Sequence, residues 1–312
     1  IDKSKKQKYL KHTKTMNNKE IFSTEDARRI AIKRVPKLIF DFVDGATGRE
    51  DCNERNQNSI RELKLQPKVL KNVQNRSLKK EFLGHFMEVP FGIAPMGMCN
   101  LVWPKADQFF ARASIKHGMP VALSCAGSTS LEDMFEMSKG RAWMQVNLSG
   151  SEDWFWEIIN RSKKVGYKVL IFTVDVPQVA RRTRDLKNGF AVPFRLGARQ
   201  IWDFATHPYW STLTLLNGPP KPMNFITSET QKHFDRHGCR GSADLDLLLK
   251  LRDRWPGTLI VKGVQSEEDA ILIKETGAEA IYVSNHGGRQ LDAALPSIIS
   301  LKKIRYAVGE GY

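Results

Sequence analysis

Long apolar runs are missing from this chain. No stretch of about 18 consecutive apolar residues occurs, which argues against a transmembrane helix. The N-terminal IDKSKKQKYLKHTKT lacks the apolar segment of a secretory signal. Cysteine is sparse: Cys52, Cys99, Cys125 and Cys239 are widely spaced, with no CxxC pair. That excludes a disulfide scaffold and predicts a reducing, intracellular setting, soluble or peripheral to a membrane. No zinc-finger, RNP or aromatic–basic pattern is present, so neither a metal site nor a nucleic-acid partner is expected.

What is present is an ordinary globular balance, 41% hydrophobic and 27% charged, which excludes a wholly disordered or collagen-like chain. The 312 residues leave room for two domains, or for one α/β barrel of roughly 250 residues with extensions. Net charge is +15, from 49 Lys+Arg against 34 Asp+Glu. Residues 1–20 hold seven Lys and two acids, so residues 1–22 read as a basic flexible arm. The field favours anionic ligands such as small carboxylates and phosphates.

From residue 88 a βα rhythm appears. Apolar strands are expected near 91–95, 120–124, 142–146, 168–174, 258–263 and 280–284. Their continuous apolar character suits a parallel sheet buried on both faces. Helices are expected near 104–117, 129–137, 151–165, 243–254, 266–276 and 295–308, several ending in Gly as left-handed caps. Ahead of them, Ser23 starts a helix to Arg34, Pro36 sits in the first turn of another, and residues 45–75 read as a polar wrap. Residues 176–242 are too long for an ordinary βα loop and read as a functional excursion or lid.

Polar groups gather at the strand ends, where α/β barrels place their chemistry. In order these are Pro95-Met96-Gly97, Ser124, Gln145 with Asn147, Thr173 with Asp175, Lys262, and Ser284-Asn285-His286 with Arg289. His286 suits a general base near neutral pH, with Asp175 to orient it. Arg182 and Arg289 offer planar forks for a carboxylate. Lys262 suits an anionic centre, or a Schiff base.

The segments SNHGGRQLD (284–292), TVDVPQVARR (173–182), VKGV (261–264) and IAPMGM (93–98) together resemble the FMN-dependent 2-hydroxy-acid oxidase/dehydrogenase family, from about residue 23 onward. The resemblance implies a (β/α)8 TIM barrel of the FMN-linked type, with residues 23–312 as the FMN domain. It implies oxidation of an L-2-hydroxy acid, such as lactate, glycolate or mandelate, to the 2-oxo acid. His286 would be the base and Asp175 its carboxylate partner. Arg182, Arg289 and Asn147 would bind substrate. Pro95, Met96, Gly97, Ser124, Gln145, Thr173, Lys262 and Ser284 would hold FMN. Oxygen, a quinone or a cytochrome would be the electron acceptor, and a tetramer the assembly.

Two positions depart from the family pattern. Asn147 and Phe42 stand where the family has tyrosines, which implies weaker binding or a different substrate. Only about six βα units are recognisable, so the barrel is expected to be incomplete at its C-terminal side. The alternative readings are a non-catalytic remnant of the family and a Schiff-base lyase using Lys262.

Overall fold

The computed structural model describes residues 21–191, 197–230 and 238–312. Up to residue 20, the expected basic arm lies outside the described residues.

Three helices come first: α1 (Thr24–Arg34), α2 (Lys37–Asp44) and α3 (Asp51–Glu62). The hydroxyl of Ser23 accepts from the Asp26 amide at 3.0 Å, which explains where α1 starts. Pro36 is the N-cap of α2 rather than a first-turn residue, because its extended ψ of 142° keeps it outside the helix. Helix α3 occupies part of the stretch expected as a polar wrap. Its sequence DCNERNQNSIRE has no apolar stripe, and only Cys52 is buried. Polar bonds hold it instead: the Asp292 carboxylate accepts from the amides of Arg49 (2.7 Å) and Cys52 (3.0 Å).

A hairpin of β1 (Lys80–Phe82) and β2 (His85–Met87) leads into the main sheet. Then follow β3 (Ile93–Met96), α4 (Cys99–Val102), α5 (Ala106–His117), β4 (Val121–Ser124), α6 (Leu131–Met137), β5 (Ala142–Val146), α7 (Glu152–Val165) and β6 (Val169–Thr173). After them come α8 (Thr183–Asn188), α9 (Ala198–Ala205), α10 (Pro208–Asn217), α11 (Met223–Ile226) and α12 (Leu245–Arg254). The described chain closes with β7 (Thr258–Val264), α13 (Glu267–Glu275), β8 (Ala280–Val283) and α14 (Ser297–Val308).

Strands β3 to β8 form one parallel sheet in chain order, each beside its sequence neighbour. Their ends fall within two residues of the expected runs. The sheet curls into a half-barrel of TIM type with helices outside. Helix α7 supplies Trp154, Phe155, Ile158 and Ile159 to the layer between sheet and helices, where they meet Phe172 and Leu170. Burying each such side chain stabilises the fold by about 1.5–3 kcal/mol. On the concave face Ala122, Val169, Ile171 and Ile260 pack together, and Leu83 and Trp143 lie against them.

Residues 176–242, expected as one loop excursion, hold helices α8 to α11 and a 3-10 turn at Arg240–Ser242. Trp210 explains the order. It is buried with Val35, Leu38, Ile39, Met98 and Leu101, fastening the excursion to α2 and α4. Among the described residues, no helix is long and apolar enough to cross a membrane.

Candidate active site

A parallel sheet delivers the C-terminal residues of all its strands to one end. There the register sets Ser124 opposite Gln145 and Thr173 opposite Lys262. These four and Ser284 are all buried. The Gln145 amide donates to the Thr173 hydroxyl at 2.9 Å, while the Ser124 hydroxyl accepts from the Ala126 amide at 3.2 Å. Pro95 and Met96 end β3. Met96 keeps 45% of its surface exposed, and Gly97 lies against Ala126.

His286 and Asp175 meet across this end. The imidazole Nδ1 lies 2.9 Å from Asp175 Oδ1. A carboxylate accepts there, so Nδ1 carries the proton and Nε2 stays available for chemistry. The backbone of His286 is left-handed, with φ +58°, and its amide donates to the Ser284 hydroxyl at 3.0 Å. The other Asp175 oxygen, Oδ2, is buried with no hydrogen-bond partner among the described atoms. Buried polar atoms are rarely left so.

Lys262 is 6% exposed. Burial pushes its ammonium below the ordinary lysine value, and the Asp175 charge opposes that shift. The Tyr282 ring lies 5.6 Å from its Nζ. A desolvated ammonium in such a place favours an anionic or electron-rich neighbour.

Gly263 is a site residue that sequence reasoning passed over. Its φ is +109°, and a Cβ there would sit 2.5 Å from Asp175 Cβ and 2.6 Å from Asp175 Cγ. Only glycine leaves Asp175 its place beside His286. The segment VKGV signalled it, but the contact joins β7 to the loop that follows β6 and is invisible in a linear reading.

The two arginines converge on Phe42. The Arg182 guanidinium lies 5.1 Å from that ring and the Arg289 guanidinium 5.4 Å. Phe42 also stacks on Phe190, centroids 4.4 Å apart. Arg182 pairs with Asp185 at 3.0 Å. Arg289 donates to the carbonyls of Phe42, Val43 and Gly45 at the C-terminal end of α2. Burial lowers its pKa, against the opposing pull of Asp185 and Glu50. Three of its five N–H groups are used in this way, which leaves two for an anion. Asn147 is held in a net: its Oδ1 accepts from Cys125 Sγ at 3.1 Å and its Nδ2 donates to Ser149 at 3.1 Å.

A barrel-type sheet with a His–Asp pair, a buried lysine and an arginine pair near its C-terminal end defines an α/β-barrel enzyme for anionic substrates. Comparison with known proteins makes this specific. The family model for FMN-dependent dehydrogenases matches residues 31–312. An (S)-mandelate dehydrogenase of Pseudomonas putida is 35% identical over 283 residues, 89% of this chain and 72% of that protein. An L-lactate dehydrogenase of Actinobacillus pleuropneumoniae is 31% identical over 296 residues, 92% of this chain and 77% of that protein. Among solved structures, the monotopic membrane protein (S)-mandelate dehydrogenase superposes with a TM-score of 0.87 at 33% identity. That match covers 93% of this chain and 79% of the other. A mandelate oxidase variant with a C4a-OH-FMN adduct gives 0.76 at 29% identity, over 92% of this chain and 75% of the other.

The chain belongs to the FMN-dependent dehydrogenase family, is an FMN-dependent 2-hydroxy-acid dehydrogenase or oxidase by class, and takes FMN as its cofactor. The residues present suit that group. Buried hydroxyl and amide groups from adjacent strands can bond a ring's polar edge, and Lys262 brings a desolvated cation to the same end of the sheet.

Proposed function

We propose that this protein oxidises an L-2-hydroxy acid to the 2-oxo acid, with His286 as the base. The observation that carries the reading is the 2.9 Å His286–Asp175 contact at the end of the sheet that also bears buried Lys262. His286 receives the substrate's proton at Nε2. Asp175 fixes the tautomer and stabilises the imidazolium that results. Arg182 and the remaining N–H groups of Arg289 hold the substrate carboxylate. Asn147 offers a hydrogen bond nearby. Ser124, Gln145, Thr173 and Ser284 would bond the cofactor ring, with Pro95, Met96 and Gly97 against it and Lys262 at its electron-rich edge. FMN, when bound, supplies the two-electron acceptor. The Phe42–Phe190 stack sets an apolar wall beside the arginines, which favours an aryl acid of the mandelate kind over glycolate. The (S)-mandelate dehydrogenase relative supports this choice.

The test is anaerobic. Protein loaded with FMN should lose its visible flavin absorbance when (S)-mandelate is added, and lose it more slowly with glycolate. His286→Gln should bind FMN and stay yellow. Persistent absorbance with every 2-hydroxy acid tried would overturn the reading.

A second feature favours attachment to a membrane surface. Helices α9 and α10 pack through Phe204 and Trp210, ring centroids 5.5 Å apart. They leave Trp202, Leu215 and Leu216 exposed at 73%, 82% and 80%. Apolar residues in a basic protein suit an interface with anionic lipid. The matching mandelate dehydrogenase structure is described as monotopic. The protein should float with vesicles containing phosphatidylserine, and Trp202→Ser with Leu216→Ser should release it. Flotation unaffected by the double substitution sinks this reading.

A further inference from the structure

The loop that carries His286 is tied to a helix outside the barrel. Asn285, immediately before the histidine, is 5% exposed and forms a reciprocal amide pair with Asn56 of α3. Asn285 Nδ2 donates to Asn56 Oδ1 at 2.7 Å, and Asn56 Nδ2 donates to Asn285 Oδ1 at 3.1 Å. The same Nδ2 reaches the Leu295 carbonyl at 2.9 Å and Cys52 Sγ at 3.2 Å. The Asn285 amide donates to the Ser297 hydroxyl at 3.0 Å. On the far side of the histidine, the Gly288 amide donates back to Asn285 Oδ1 at 3.3 Å.

This arrangement has a mechanical reading. His286 holds a left-handed backbone that side chains other than glycine adopt reluctantly. Such a conformation persists only where its surroundings over-determine it. Here Asn285 fixes both flanks of His286, and α3 fixes Asn285. Helix α3 packs closely on the loop: a Cβ on Gly288 would lie 2.8 Å from the Asn53 nitrogen. Asn56 itself touches neither His286 nor Asp175 in any hydrogen bond of the described residues.

We propose that Asn56 is a positioning residue that aims the His286 imidazole through Asn285. The proposal rests on the reading of His286 as the base, and it adds a residue from outside the barrel. Two variants separate aim from folding. Asn56→Ala removes both amide bonds. Asn56→Asp keeps the acceptor for Asn285 Nδ2 and loses the donor.

Two measurements apply to each variant. The first is kcat and KM of the FMN-loaded enzyme. The second is the ring resonance of His286 in flavin-free protein labelled with 13C-histidine. For Asn56→Ala, kcat should fall about tenfold to a hundredfold with KM within about twofold, the signature of a misplaced group rather than lost binding. The His286 resonance should shift or broaden while FMN occupancy holds. Asn56→Asp should recover part of kcat and most of the resonance. An unmoved His286 resonance with kcat within about twofold of the parent overturns the proposal. So does a joint fall of kcat, FMN occupancy and melting temperature with no recovery in the aspartate variant. If the parent protein oxidises no 2-hydroxy acid, the reading of the base fails by itself, and the resonance alone still decides whether Asn56 aims His286.

Discussion

Gly263 shows how a residue without a side chain can set the chemistry of one that has it. Its α-hydrogen faces Asp175 where a methyl group would sit 2.5 Å from the Asp175 Cβ. Gly263→Ala must push Asp175 away or twist β7, and a φ of +109° adds strain for any residue with a Cβ. The expected cost is on the order of a hundredfold in kcat, because the imidazole loses its orienting partner. If the effect runs through Asp175, the losses from Gly263→Ala and Asp175→Asn do not add in the double variant. Kinetics on the four proteins decide it, and fully additive losses would place the role of Gly263 elsewhere. The reading of His286 and Asp175 from the sequence rested on residue type and strand-end position, which a parallel sheet converts directly into proximity. Gly263 and Asn56 stayed hidden because their roles are contacts across 88 and 229 positions of chain, to Asp175 and Asn285 respectively.

At the scale of elements, the barrel strands were legible and α3 was not, for one physical reason. The strands are apolar runs whose burial in a two-layer fold declares itself locally. Helix α3 has almost nothing to bury and is held by distant polar partners. Asp292 is one such partner, accepting from the Arg49 and Cys52 amides at the positive end of the helix. Burial pushes its pKa up, but the amides of Cys52 and Arg49 and the nearby Arg55 charge outweigh that and hold the carboxyl below the ordinary aspartate value. A carboxylate with a depressed pKa contributes stability above its unfolded value, and that contribution is lost as pH falls through the folded value. Asp292→Ala removes this cap and should cost about 1 kcal/mol near neutral pH. The gap to the parent should narrow as the solution is acidified past the ordinary carboxylate range. Urea midpoints measured against pH test this, and a gap independent of pH would mean that packing, not the cap, holds α3. The helices inside the excursion were not legible for a related reason: Phe204 and Trp210 look like loop aromatics until α2 and α4 supply the surface they cover.

For the molecule as a whole, the charge separates two uses of one field. Of the net +15, residues 1–20 contribute seven lysines less two acids, or +5, so +10 belongs to residues 21–312. If the field steers a carboxylate substrate toward the strand ends, most of the effect stays with the body of the protein. Raising ionic strength from about 0.01 M to about 0.3 M shortens the screening length from roughly 30 Å to well under 10 Å. Over that range kcat/KM for an anionic 2-hydroxy acid should fall several-fold with kcat unchanged, while its neutral methyl ester shows no such slope. Protein beginning at Ile21 should keep about two-thirds of the slope, in proportion to the charge it keeps. Loss of the whole slope with the first 20 residues would instead make the arm the steering element. Binding to phosphatidylserine vesicles answers to the same charge but also to Trp202 and Leu216, so serines at those two positions should abolish flotation and leave the kinetic salt slope intact.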